Sequence, residues 1–115
     1  MEPKNFPNSK MTIAGAIAID ETKTEALNTY NCVPCGVEIP SEMTGTAISF
    51  EDSADNITFR PVIDPETGAA YSVSLVESGY IPLKMDYFWG CLYVKVVSNQ
   101  AEAAARALGL RVRGS

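Results

Sequence analysis

The sequence predicts an all-β protein: a single antiparallel β-sandwich or jelly-roll-like domain over residues 11–115, preceded by an extended N-terminal arm at 1–10. Three observations lead there. Large apolar residues alternate with small or polar ones in one short segment after another, the period-two pattern of half-buried strands. Turn-forming clusters recur about every ten residues. The 115 residues with 46% hydrophobic content suit one globular core rather than a disordered chain or several domains.

The arm, Met1 to Lys10, holds two prolines, two asparagines and one large apolar residue, Phe6, without periodicity. From Thr12, the residues Ile13, Gly15, Ile17 and Ile19 share one face of a strand, with Thr12, Ala14, Ala16 and Ala18 on the other. Glu21 to Asn28 is short and polar and reads as a loop or a single helical turn. Val33, Val37 and Ile39 lie in an extended stretch that Pro34 and Gly36 interrupt, which suits an edge strand or a bulge. Thr46, Ile48 and Phe50 alternate with Ala47, Ser49 and Glu51. The polar stretch from Asp52 to Asn56 then turns the chain into Ile57–Arg60, making a hairpin.

Asp64-Pro65-Glu66-Thr67-Gly68 is the clearest turn, with proline presetting φ and glycine suited to the left-handed position. Strands follow at Tyr71, Val73 and Leu75, at Tyr80 to Leu83, and at Leu92, Val94 and Val96. The last runs from Arg106 to Val112, with Leu108, Leu110 and Val112 on one side and Arg111 and Arg113 on the other. Gln100 to Ala105 has high helix propensity but is too short and lacks an apolar stripe, so it reads as a loop with at most one helical turn.

Charge and composition narrow the function. Fourteen acids against nine bases give −5, which argues against duplex nucleic acid as the partner. Residues 1–10 carry +1 and residues 101–115 carry +2, around a central ninety residues at −8, so the basic ends suit a different surface from the acidic body. No apolar run approaches the roughly 20 residues that span a bilayer, so no membrane partner is expected. The N-terminus lacks the apolar core of a signal peptide, and cytoplasmic synthesis is the expectation. Histidine is absent, which removes the commonest general base and metal ligand. Glycine-rich phosphate loops and nucleophile elbows are also missing from the sequence. No enzyme activity and no cofactor are expected.

Three clusters carry two readings each. Cys32 and Cys35 have C-x-x-C spacing, yet they precede a strand rather than open a helix, and Cys91 alone cannot complete a zinc site. Two ordinary small residues in or near the core, and no metal, are the expectation. The carboxylates of Glu51, Asp52 and Asp55 suggest calcium, but the ligand order of a calcium loop is missing, and acidic turns commonly face water. Met85 to Gly90 packs Tyr87, Phe88 and Trp89 together, either as a partner or sugar contact or as a plug closing the sandwich end.

The second half resembles a group of small virion proteins of tailed bacteriophages. The resemblance lies in Gly45 to Phe50, Ser53-Ala54-Asp55, Tyr71-Ser72-Val73, Tyr80 to Leu83, Tyr93 to Ser98 and Arg106-Ala107-Leu108, within about three fifths of the chain. It implies a β-sandwich structural protein of the particle, a decoration or cement protein on the capsid exterior, made in the host cytoplasm. The implied partners are the major capsid protein and neighbouring copies of the chain itself, as a homo-oligomer. Placement then nominates Phe6 and Pro7 on the arm, and Arg111 and Arg113 at the tail, as contact residues. The alternative is a tail, baseplate or fibre module that binds host carbohydrate through Tyr87, Phe88 and Trp89. The arm, the Cys32/Cys35 pair and the aromatic loop fall outside the resembling pattern.

Overall fold

In chain order, the strands of the computed structural model, which describes residues 10–114, are β1 (Lys10–Ile17), β2 (Leu27–Asn28), β3 (Cys32–Glu38), β4 (Ala47–Ser53), β5 (Arg60–Pro61), β6 (Ser72–Ser74), β7 (Tyr80–Pro82), β8 (Tyr93–Ser98) and β9 (Arg106–Gly114). Phe6 and Pro7 lie outside the described residues. Lys10, counted with the arm from the sequence, opens β1.

Two antiparallel sheets face each other. One has the order β1-β9-β3-β7; in the other, β2-β8-β4 continues to β5, while β6 pairs with the first half of β4. The alternation explains the packing. Ile48 and Phe50 of β4, Val94 and Val96 of β8, and Leu108, Leu110 and Val112 of β9 all turn inward and are buried. Val37 and Ile17 join the β9 residues in the first sheet's inner face and meet those of β4 and β8. Each such side chain contributes about 1.5–3 kcal/mol on leaving water. The sandwich expected from the sequence is the fold observed.

Several elements differ in detail. Glu21 to Asn28 is neither a free loop nor a helical turn: Lys23 bridges Val97, Thr24 bridges Ile17, and β2 completes the run along β8. Thr24 is buried, donating its N–H to Val96 O while its hydroxyl accepts from Val96 N, and that pairing holds the polar segment extended. The hairpin after β4 resumes only at Arg60, because Asp55 Oδ1 accepts from Ile57 N and Thr58 N and curls those residues into the turn.

The interruption in β3 is a bulge between Pro34 and Gly36, but β3 is not an edge strand. It runs between β9 and β7. Proline is tolerated because β7 covers only Gly36 to Glu38, leaving the far side of Pro34 unpaired with any strand. The Asp64–Gly68 turn forms as read, with Gly68 at φ 75° and its N–H donating to Asp64 O. Residues 99–105 form a loop without helix, and the 3₁₀ turn Met85–Phe88 is the helical element among the described residues.

Candidate interaction surfaces

The strand registers sort the loops to two ends of the sandwich. Ile17, Ala47, Ser98 and Arg106 mark one end. Lys10, Asn28, Cys32, Ser53, Tyr93 and Gly114 mark the other.

The first end is closed by a buried carboxylate. Glu102 is fully buried, and its oxygens accept from Thr44 N at 2.8 Å, Gly45 N at 3.0 Å, Ser98 Oγ at 2.8 Å and Arg106 Nε at 2.9 Å. Burial opposes the charge, but these hydrogen bonds outweigh it and hold the carboxyl at about 2, below its ordinary 4.5. Asn99 extends the clamp, accepting from Thr46 N and donating to Thr46 Oγ1. Gly45 leaves no room for a Cβ, which would run into Ser98 Oγ. Sequence reasoning missed Glu102 as more than a charge. Its one signal was an acid amid alanines with a basic residue four positions on.

The second end carries the aromatic segment, and it splits the two readings. Phe88 is fully buried and packs edge-on against Phe50 at 5.2 Å, while Tyr71 meets Tyr87 at 5.0 Å. These rings are a plug. Tyr87 is half-buried, and its hydroxyl donates to Asp64 Oδ1. Trp89 is 59% exposed and belongs to no such packing. It borders a cleft of about 330 Å³ lined also by Asp52, Arg60, Pro61, Val62, Ile63, Tyr87, Gly90 and Cys91. Tyr30 (64% exposed), Ile57 (80%) and Met11 (53%) lie on the same end.

The tail arginines differ in their surroundings. Arg111 Nε donates to Glu38 Oε2 at 2.7 Å, and its guanidinium lies 4.6 Å from the Tyr80 ring centre. Tyr80 in turn lies across Gly36, donates to Cys35 O, and leaves no room for a Cβ at Gly36. Arg111 is thus engaged within the chain, with 41% of its side chain still exposed. Arg113 stands opposite Lys10 and Val33 where the arm joins β1.

The other candidate residues are structural in position. The three cysteines are free thiols; Cys32 and Cys35 are half-buried on β3. Burial, with the Asp52 charge behind it, pushes the Cys91 thiol up to about 12, far from the thiolate a nucleophile or metal ligand needs. The acids of Glu51 to Asp55 do not converge, and among the described residues no acid or cysteine group could hold a metal ion. Glu51 pairs with Lys23 at 2.9 Å, and Asp52 Oδ1 accepts from Leu92 N. Asp55 is held at about 2 by the N–H groups of Thr58 and Ile57 and the Ser53 hydroxyl.

This geometry defines a class by architecture: a small two-sheet antiparallel sandwich with one polar, locked end and one aromatic end. No protein-family model matches the chain, and no curated protein sequence does. Among solved structures, the crystal structure of the SPBc2 prophage-derived protein YomS is similar, with a TM-score of 0.57 and 12% identity over 93% of this chain and 96% of that one. The cyanophage Pam1 capsid asymmetric unit also aligns, at a TM-score of 0.44 and 12% identity, over 100% of this chain and 91% of that one. The first likeness establishes a shared fold along nearly the full length of both chains.

Proposed function

We propose that this chain is a non-enzymatic structural protein of a bacteriophage particle, and within that class a decoration or cement protein on the outside of the head shell. The observation that carries the reading is the fold shared end to end with a prophage-derived protein, 93% of one chain on 96% of the other. The phage-like pattern of residues between 44 and 113 supports it. A cement protein needs a rigid body, an acidic exterior and apolar contact residues, and affinity that is repeated over many identical sites. Its partners on this reading are the major capsid protein and other copies of itself. The contact residues on this reading are Phe6 and Pro7 of the arm, Arg113, which stands opposite Lys10, and Arg111 as part of its neutral pair with Glu38.

Quantitative mass spectrometry of purified virions tests this. Stoichiometric presence with the major shell protein, or a simple fraction of it, is the expected result; absence from the particle overturns it. Deleting residues 1–10 is expected to reduce occupancy on the head while the sandwich stays folded. Unchanged occupancy removes the arm from the contact.

The cleft beside Trp89 favours a second reading, a tail, baseplate or fibre module that binds host carbohydrate. An exposed indole next to Asp52, Arg60 and Tyr87 offers a ring face to a sugar and polar groups to its hydroxyls. A handful of copies per virion, with glycan-array binding abolished by Trp89→Ala, would select it.

A further inference from the structure

We propose that two copies of this chain pair antiparallel through their β1 edges, about a two-fold axis at Thr12, joining their four-stranded sheets into one. The inference concerns self-association and stands whether or not the chain belongs to a particle.

The edges of the two sheets are not alike. Proteins blunt sheet edges by making them short or placing proline in them. Here β7 spans three residues and ends in Pro82, β5 spans two and includes Pro61, and β2 spans two. By contrast, β1 spans eight residues without proline, and its strand partner among the described residues is β9 alone.

The hydrogen-bonding groups of that edge can be counted. Ala16 N donates to Glu25 Oε1 at 3.1 Å, so it points away from β9. The register with β9 runs unbroken from Lys10↔Arg113 to Ile17↔Arg106. Backbone direction alternates along a strand, so the N–H and C=O of Lys10, Thr12 and Ala14 point outward as well. Glu25 and the Ile17↔Thr24 bridge close the Ala16 end. What stays open is symmetric about Thr12. A second β1 laid antiparallel with Thr12 opposite Thr12 sets each Lys10 opposite an Ala14, and about six hydrogen bonds, two per such residue pair, satisfy every open group.

The same register matches apolar groups. It puts Met11 opposite Ile13 of the second copy in a close, non-hydrogen-bonded pair, with side chains on the core-facing side. Met11 is 53% exposed in the single chain, and Ile13 packs against the core, so the pairing covers both. Each interface is then its own complement, as a two-fold dimer requires.

The test is sedimentation velocity of the full chain over micromolar concentrations under thiol reductant, with amide hydrogen exchange read by NMR. The expected mass is twice 12.4 kDa. The Thr12 and Ala14 amides should gain protection with concentration, while Ala16 stays protected throughout. Thr12→Pro removes an outward N–H without touching the β9 ladder and should abolish the dimer. Ala14→Lys keeps its N–H but sets lysine opposite Lys10 and should weaken the dimer roughly fivefold. Should Thr12→Pro fail to fold, Ala14→Lys decides. A 12.4 kDa particle at every concentration, or a dimer that both substitutions leave intact, overturns the proposal.

Discussion

The two ends of this sandwich solve the same problem in opposite ways. At one end a chain of polar groups is taken out of water and satisfied inside: Glu102 gathers four donors from three separate segments. At the other, the rings that close the core leave Trp89 outside, with Tyr30 and Ile57 also exposed. A buried carboxylate is costly unless fully bonded, so the first end is specified by hydrogen-bond geometry and tolerates little change. The second end is held by ring packing beneath and leaves its rim free to vary. The two ends can therefore be perturbed separately.

That separation can be broken most strongly at Glu102. Replacing it by alanine leaves Arg106 and the Thr44 and Gly45 amides without their partner, and should cost about 3–5 kcal/mol in chemical denaturation. Acid probes the same group without mutation. A carboxyl held at about 2 in the folded state and at 4.5 otherwise contributes fully above pH 4.5 and loses that contribution as pH falls toward 2. Stability should fall across that window, and the Glu102→Ala variant should lose the share that Glu102 carries while keeping the share from Asp55, which is also held at about 2. Gly45→Ala forces a methyl group against Ser98 and should cost about 1–3 kcal/mol, read as a lower melting temperature.

The smallest expected effect sharpens the contrast. Trp89→Ala should change stability by no more than about 0.5 kcal/mol, because its ring is mostly in water. Any loss of partner or glycan binding in that variant then reports on recognition alone. A large loss of stability would instead mean that the exposed indole supports the plug.

Much of this architecture was legible because period two is a strong signal wherever one face is buried. Val94 and Val96, and Leu108 to Val112, announce β8 and β9 without help from the rest of the chain. The aromatic segment was legible as a cluster, but which ring turns outward depends on a 3₁₀ turn that spacing does not encode. The segment around Thr24 was misread because its strand character comes from partners more than seventy residues away, not from its own residues. Glu102 was invisible for the same reason. Its donors come from Thr44, Gly45, Ser98 and Arg106, and local composition shows only an acid in an alanine run. Arg111 read as a contact residue at the tail, yet Gly36 sits under Tyr80, and the resulting Tyr80–Arg111–Glu38 arrangement engages that charge within the chain.

The pairing of Lys10 with Arg113 has a practical corollary. The two extremities of the described chain lie on adjacent strands, about one inter-strand spacing of 5 Å apart. A short glycine linker should join them without strain, and new termini opened in the exposed Asp64–Gly68 turn should give a circular permutant with the same two sheets. Equally, a cargo joined directly to Lys10 or Gly114 would leave the sandwich from the same end. In a two-fold assembly through β1, it would be displayed in closely spaced pairs.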